Sequence, residues 1–401
     1  MLKRVFKAFE YRDFRLLWFG ACTSSVGTWM QAVAQNWLVL ELTNSPFLLG
    51  LDSFLGQIPI FLFSLIGGVV ADRADRRKLL VGSQIVQMTC AFLLASLFAM
   101  SMVKVWHILS LSFVVGLAQA FGGPAYQALI PTLVSPKDLS NAIALNSIQF
   151  NLARVIGPML GGIALTSMGA AWCFTFNGVS FIAVIISLLL LPVRPIAAKT
   201  GASVLTSIKE GLRFIDQHAG MSPLIAIAFL MTMLGIPIMV FLPVVVRDVF
   251  HMGPKVFTLM LCISGAGAVV GALTVAAFGH IHNKGQVALL TLIVLGALMT
   301  GFGLSRSLEL SCILLFASSA ALVAVFAMIS SLVQLIAPDE MRGRVMSVYN
   351  VAFRGGMPIG SLISGQLVGS TSVGAVLAVN GIALILLGLY FLLVQRRVAH
   401  L

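Results

Sequence analysis

Charge is scarce in this chain. Of its 401 residues only 9% are Asp, Glu, Lys or Arg, and acids are the scarcer sign, 13 against 25 bases. Ordinary soluble domains carry about a quarter charged residues. With 59% hydrophobic residues and a mean hydropathy of +1.04, the sequence excludes a soluble globular protein and reads as a polytopic membrane protein. Cysteine is sparse too. Cys22, Cys90, Cys173, Cys262 and Cys312 all lie inside apolar runs, with no CxxC pair and no histidine at a zinc-binding spacing, so they read as small core residues. The six histidines form no HExxH, and no nucleophile elbow is present, which argues against an enzyme. A cofactor site is missing as well. Gly265, Gly267 and Gly271 in SGAGAVVGA have the wrong spacing for a dinucleotide loop and lie in an apolar span with no strand before it, so they serve helix packing. The net charge of +12 does not make a nucleic-acid surface: the bases sit in short gaps between apolar runs, where membrane lipid headgroups account for them.

What the chain has in quantity is apolar runs of membrane-crossing length. They predict an all-α membrane protein of twelve transmembrane helices, near 15–40, 46–70, 79–101, 107–131, 140–168, 172–193, 222–247, 255–279, 286–304, 309–335, 343–370 and 373–394. The first run is too long for a cleavable signal and has no small-residue cleavage pattern, so it is expected to remain as a span. Lys and Arg test this layout. Nineteen fall before the first span, after the second, around Lys137, in the central linker, at Lys284, at Arg342 and Arg344, and at the C-terminal end. Only Lys104, Arg247, Lys255 and Arg306 fall on the other side, which predicts that both termini are cytoplasmic.

Between the sixth and seventh spans, Val204, Leu205, Ile208, Leu212 and Ile215 recur at helical spacing opposite Lys209, Glu210, Arg213 and Asp216, an amphipathic helix expected on the inner surface. The predicted division is a six-helix bundle over 1–193, a linker over 194–221 and a second six-helix bundle over 222–401. The two bundles read as repeats. At an offset of 211, Gly68, Asp72 and Arg73 meet Gly279, Asn283 and Lys284; at 202, Pro136 and Asp138 meet Pro338 and Glu340; at 200, Arg154 and Pro158 meet Arg354 and Pro358. Such a duplication predicts a substrate site between the halves.

The turn after the second span, GGVVADRADRRK, holds Asp72 and Asp75 among Arg73, Arg76, Arg77 and Lys78, too polar a run to enter hydrocarbon. Two readings stand: the cluster sets topology only, or it gates, with Gly68 letting the helix end pass close to a neighbour and Asp72 accepting hydrogen bonds from a helix N-terminus, that of the eleventh span near Arg342 and Arg344. The spacing of Gly68, Asp72, Arg73, Arg76 and Arg77 resembles the loop signature of the major facilitator superfamily, with Asp75 where that family usually has a second glycine. The runs Gly27–Leu51, Ala153–Gly162 and Met341–Gly365, with IKEGLRF in the linker, are similar to its transmembrane secretion effector branch, and the likeness spans nearly the whole chain. It implies a bacterial inner-membrane exporter of drugs, siderophores or metabolites, working by alternating access and driven by protons. Gly157, Pro158, Gly161 and Gly162 on the fifth span resemble the superfamily's antiporter signature, although Asn151 and Ala153 replace glycines that should precede it. The fourth span lacks the arginine that proton-coupled members usually carry there.

Polar residues inside the spans are the remaining candidates. Gln31 and Gln35 stand one turn apart on the first span, with Gln119 on the fourth, Asn146 on the fifth and Asn350 on the eleventh. They either bond helix to helix or line a polar cavity for amphipathic organic substrates. Asp52 is the acid most clearly inside a span, either a proton-coupling group or a structural hydrogen-bond partner. Arg154 and Arg354 precede Pro158 and Pro358 by one turn. Each guanidinium is held by carbonyls of its own kinked helix, or binds anionic or carbonyl-bearing parts of a substrate. The functional expectation is a monomeric exporter that uses small-molecule substrate and protons and binds no cofactor, metal or nucleic acid. The alternatives are a non-transporting sensor or assembly scaffold, and a flippase for lipid-like molecules.

Overall fold

The structure is a computed structural model that describes residues 6–192, 204–218, 220–277 and 283–399. Lys3, Arg4, Arg194, Lys199, Gly279, His280 and His282, which enter the sequence reading, lie outside the described residues, as do the side chains of Val204, Leu205, Ile208 and Glu340. Among the described residues there is no strand. The long helices are α1 (Arg12–Thr43), α2 (Pro46–Arg73), α3 (Arg76–Ala99), α4 (Val105–Leu133), α5 (Leu139–Ser167), α6 (Ala170–Leu189), α7 (Val204–Gln217), α8 (Met221–Gly235), α9 (Pro254–Ala277), α10 (Lys284–Leu304), α11 (Leu308–Ile336), α12 (Asp339–Ser370) and α13 (Val373–Leu389). Ten stretches of the described chain are long and apolar enough to cross a membrane. Helices α1 and α12, at 32 residues each, have the length, but their amide and charged residues keep them outside that apolar class.

The seventh predicted span is not one regular helix. After Gly235 the path continues as short turns, Pro237–Val240 and Leu242–Val244, and ends in a π turn at Val245–Val249. The cause is in the sequence: Pro237 and Pro243 have no N–H to give, so the carbonyls four residues earlier lose their helical partners. The released Met233 carbonyl lies where a side chain on Gly360 of α12 would collide with it.

The chain divides into two compact units, Met1–Thr43 with Leu55–Gly201, and Asn44–Phe54 with Ala202–Leu401. Within the first, α1 packs on α5 and α6, α6 on α3, and α3 on α4. Within the second, α8 packs on α12 and α13, α13 on α10, α10 on α11, and α11 on α9. The order of partners is the same in both, which gives the sequence repeat a structural counterpart.

Glycines set several of these approaches, because backbone-to-backbone packing in an apolar solvent relies on small residues. A Cβ on Gly161 would strike the Met30 main chain on α1, as one on Gly360 would strike α8. Gly296 and Gly303 on α10 meet Gly381 and Gly374 on α13. Gly67 on α2 lies against the Ala120 carbonyl of α4. This corrects the expectation for Gly68: among the described residues a Cβ there meets nothing within 4 Å, and the close approach belongs to its neighbour.

Helix α7 is the helix expected to be amphipathic in the linker. Ile215 is buried, but Leu212 is 51% exposed. Gly211 abuts the Arg344 carbonyl, and Glu210 pairs with the Arg344 guanidinium at 2.8 Å, so a polar contact helps to fix the helix on α12.

Candidate functional site

The first unit carries a chain of amides. Asn177 on α6 donates to Gln31 Oε1 at 2.7 Å, Gln31 donates to Gln35 Oε1 at 3.2 Å, and Gln35 donates to Ser112 Oγ on α4 at 2.9 Å. The spacing of Gln31 and Gln35, one turn apart, lets them lie in line along α1. Three helices are tied by one path whose donors and acceptors are used in order. A second path joins α4 to α3: Gln119 donates to Gln87 Oε1 at 3.0 Å, Gln87 donates to Ser83 Oγ at 3.1 Å, and Ser83 donates to the Ala118 carbonyl at 2.8 Å. Asn146 Oδ1 accepts from the Tyr126 hydroxyl at 2.7 Å. For Gln31, Gln35, Gln119 and Asn146, bonding between helices accounts for the side-chain oxygens or nitrogens that would otherwise face hydrocarbon.

Asn177 and Gln87, each 3% exposed, complete these paths and were not among the residues singled out from sequence. Their signal was an amide in the middle of an otherwise apolar run, the same signal used for Gln119.

The two arginines behave differently. The Arg154 guanidinium sits over the Trp29 ring of α1, 5.8 Å from its centroid, a cation–π contact. Neither Arg154 nor Arg354 makes a hydrogen bond or ion pair among the described residues, so the reading in which a proline-freed carbonyl holds each guanidinium is not what the structure has. Arg154 is half-buried and Arg354 exposed, as is Asn350 one turn before it. Asn151, one turn before Arg154, bonds its own helix at the Ser147 carbonyl, 2.8 Å away. On the second unit, Phe353, Tyr349 and Phe326 form an aromatic cluster between α11 and α12 directly beside Arg354 in sequence, with the Phe326 and Phe353 centroids 4.5 Å apart.

Asp52 is 5% exposed and is not an isolated carboxylate. It lies in the eleven-residue strip around the start of α2 that groups with the second unit. Its neighbour Ser53 donates to Ser361 Oγ on α12 at 3.2 Å, and Gly50 abuts the Ser361 carbonyl.

The charged turn after α2 is a staple. Arg76 donates to the Ala71 carbonyl at 3.2 Å and to the Ala128 carbonyl of α4 at 3.0 Å, and it pairs with Asp72 at 3.6 Å. Arg77 donates to the Leu191 carbonyl beyond the end of α6 at 2.6 Å. The cap of α3 is Asp75, whose carboxylate accepts from the Arg77 and Lys78 main-chain N–H groups. The residue that departs from the family spacing is thus the one that starts α3. Arg73 ends α2. Gly157, Pro158, Gly161 and Gly162 are buried on α5, where Gly157 and Gly161 bring that helix onto α1.

Helices in two units with matching packing orders and membrane-length apolar stretches give an all-α membrane protein of the major facilitator fold. The chain belongs to the transmembrane secretion effector family, whose model matches residues 4–400. Relatives include the enterobactin exporter EntS of Citrobacter koseri, 26% identical over 386 residues that cover 95% of this chain and 91% of that one, and EntS of Escherichia coli K12, 25% identical over 393 residues, 96% and 92%. Similar solved structures include a bacterial homologue of the human lysosomal transporter Spinster in an inward-facing, unoccupied conformation, with a TM-score of 0.76 at 14% identity, covering 96% of this chain and 97% of that one. A D-xylose–proton symporter also has a TM-score of 0.76 at 14% identity, covering 95% and 97%. The protein is a multi-span membrane transporter of a bacterial exporter family and not an enzyme.

Proposed function

We propose that this protein is a secondary active exporter of small organic molecules, working by alternating access in the bacterial inner membrane, with both termini cytoplasmic and twelve helices, α1–α6 and α8–α13, crossing the bilayer. The observation that carries the reading is the pair Arg154 and Arg354, cations in corresponding helices that no protein acid or carbonyl satisfies among the described residues. A charge at membrane depth costs about 2.5–3.5 kcal/mol on insertion scales, a cost a structural scaffold has no reason to keep. Planar guanidinium groups suit carboxylates, phenolates and carbonyls. Anionic or carbonyl-bearing substrates follow, and the name of the relatives makes enterobactin the first cargo to try.

Proton antiport is part of the proposal, with Asp52 as its acid. Helix α4 carries no arginine, acid or lysine, so the coupling group has to come from elsewhere. The test is accumulation of enterobactin, dyes and antibiotics in cells with and without the protein, each with and without an uncoupler. Lower accumulation that the uncoupler abolishes supports the exporter, and equal accumulation across the panel supports a non-transporting scaffold instead.

A further inference from the structure

The second unit contains a groove of about 440 Å³ between α9, α10 and α11 that the transport reading does not use. Its wall is built from Val275, Val287, Ala320, Ala324 and Met328, and Lys284 stands at one end. Lys284 is half-buried and makes no hydrogen bond or ion pair among the described residues. It also opens α10, whose first turn holds no acid and whose preceding residue, Asn283, caps no N–H with its side chain, so the positive end of the helix dipole adds to the lysine charge. The flanks are apolar and open: Leu273 is 64% exposed, Val294 52% and Leu290 46%.

The repeat explains why the groove is there. By helix position Arg76 and Lys284 correspond: each is the first residue of the helix after its unit's polar turn, with Asp75 and Asn283 before them. In the first unit Arg76 crosses to the Ala128 carbonyl and fills the corner between α2, α3 and α4. In the second unit Lys284 makes no such bond among the described residues, and the corresponding corner of α9, α10 and α11 is left open with that cation at its mouth. The occupant has to be apolar along about 10 Å of helix, the rise from Lys284 to Thr291, and anionic at one end.

We propose that this groove binds one anionic phospholipid, its phosphate at Lys284 and one acyl chain along the α9–α10–α11 wall. The lipid comes from the inner leaflet, a placement that rests on the topology proposed above. Thr274, Thr291 and Ser331 also line the groove, but the two threonine hydroxyls bond carbonyls of their own helices, and a mainly apolar wall with a single cation fits a lipid better than a hydrophilic cargo, which would leave polar groups unpaired against valine and alanine.

Native mass spectrometry of the full chain in mild detergent, with phosphatidylglycerol or phosphatidylcholine of matched acyl chains, tests it. The expected result is a single retained phosphatidylglycerol, favoured over phosphatidylcholine by about fivefold, the factor one lysine near an anionic surface contributes. Lys284→Gln removes the preference, and Ala324→Phe fills the groove and removes both adducts while the melting temperature is kept. Thr291→Phe serves the same purpose from α10 if Ala324→Phe does not fold. An undiminished preference in Lys284→Gln overturns the proposal, as does an adduct that survives a folded groove-filling variant. So does displacement of the lipid by an exported substrate, or occupation of the groove by a second copy of the chain, seen as a dimer lost in Ala324→Phe. The readout needs no transport, so failure of the exporter assay leaves this result standing.

Discussion

Arg76, the first residue of α3, reaches the main-chain carbonyl of Ala128 on α4 at 3.0 Å while its Nε holds the Ala71 carbonyl of α2 at 3.2 Å. One side chain joins three helices of the first unit at their charged ends. Hydrogen bonds that involve a charged group are worth about 1.5–3 kcal/mol. Arg76→Ala should therefore lower the melting temperature clearly, with Arg76→Lys intermediate because an ammonium cannot span both carbonyls in one plane. Asp72→Asn should cost less than about 1 kcal/mol, since that carboxylate is 65% exposed and 3.6 Å from its partner. Equal losses in Arg76→Ala and Asp72→Asn would mean that the ion pair, not the carbonyl staple, holds the corner.

Adjacent glycines should respond in opposite ways. Gly67→Ala forces a methyl into the Ala120 carbonyl and should cost about 1–3 kcal/mol as an overpacked contact. Gly68→Ala meets open space and should be neutral, or gain about 0.5–1 kcal/mol from helix propensity. Thermal melts of the two purified variants decide the matter.

The amide path predicts a measurable coupling between α1 and α6. A double-mutant cycle on Gln31→Ala and Asn177→Ala should give an interaction energy near the roughly 0.6 kcal/mol typical of polar pairs within membranes. A cycle on Gln31 and Gln119, which share no hydrogen bond, should give none.

For the arginines, Arg154→Gln and Arg354→Gln should keep expression and melting temperature while weakening export, because among the described residues neither guanidinium makes a hydrogen bond. Trp29→Leu should weaken export in the same direction by removing the ring under Arg154, with an effect near about 0.5–2 kcal/mol. Wild-type export by both stable arginine variants would remove them from the substrate pathway.

Efflux by Asp52→Asn should lose its dependence on an uncoupler if Asp52 is the coupling acid. Proton-driven efflux that survives the change would assign Asp52 to the contact between the start of α2 and α12, where Ser53 already bonds Ser361.

Helix positions were legible because a 20-residue apolar run has few other uses, and most predicted ends fall within a few residues of the observed ones. The break after Gly235 was written in Pro237 and Pro243 but hidden by the high hydropathy of Met221–Val249, which reads as a single span. The role of Gly67 rather than Gly68 could not be read, since neighbouring residues point about 100° apart on a helix and the sequence does not say which direction holds α4. The amides stood out from sequence as polar groups inside apolar runs. Their pairing through Asn177 and Gln87 depended on knowing that α6 and α3 pack beside α1 and α4.

The second unit is not encoded by a continuous stretch of the gene, since it takes in Asn44–Phe54, where Gly50 abuts the Ser361 carbonyl and Ser53 bonds Ser361. Cutting the chain at the central linker would separate that short strip from the surface it covers on α12. The C-terminal fragment would expose Ser361 and the backbone around Gly365 to solvent or lipid. Two-piece expression of this protein should then work best when the N-terminal piece is supplied in the same cell, and a fusion that appends residues 44–54 to the C-terminal piece is the direct way to rescue it alone.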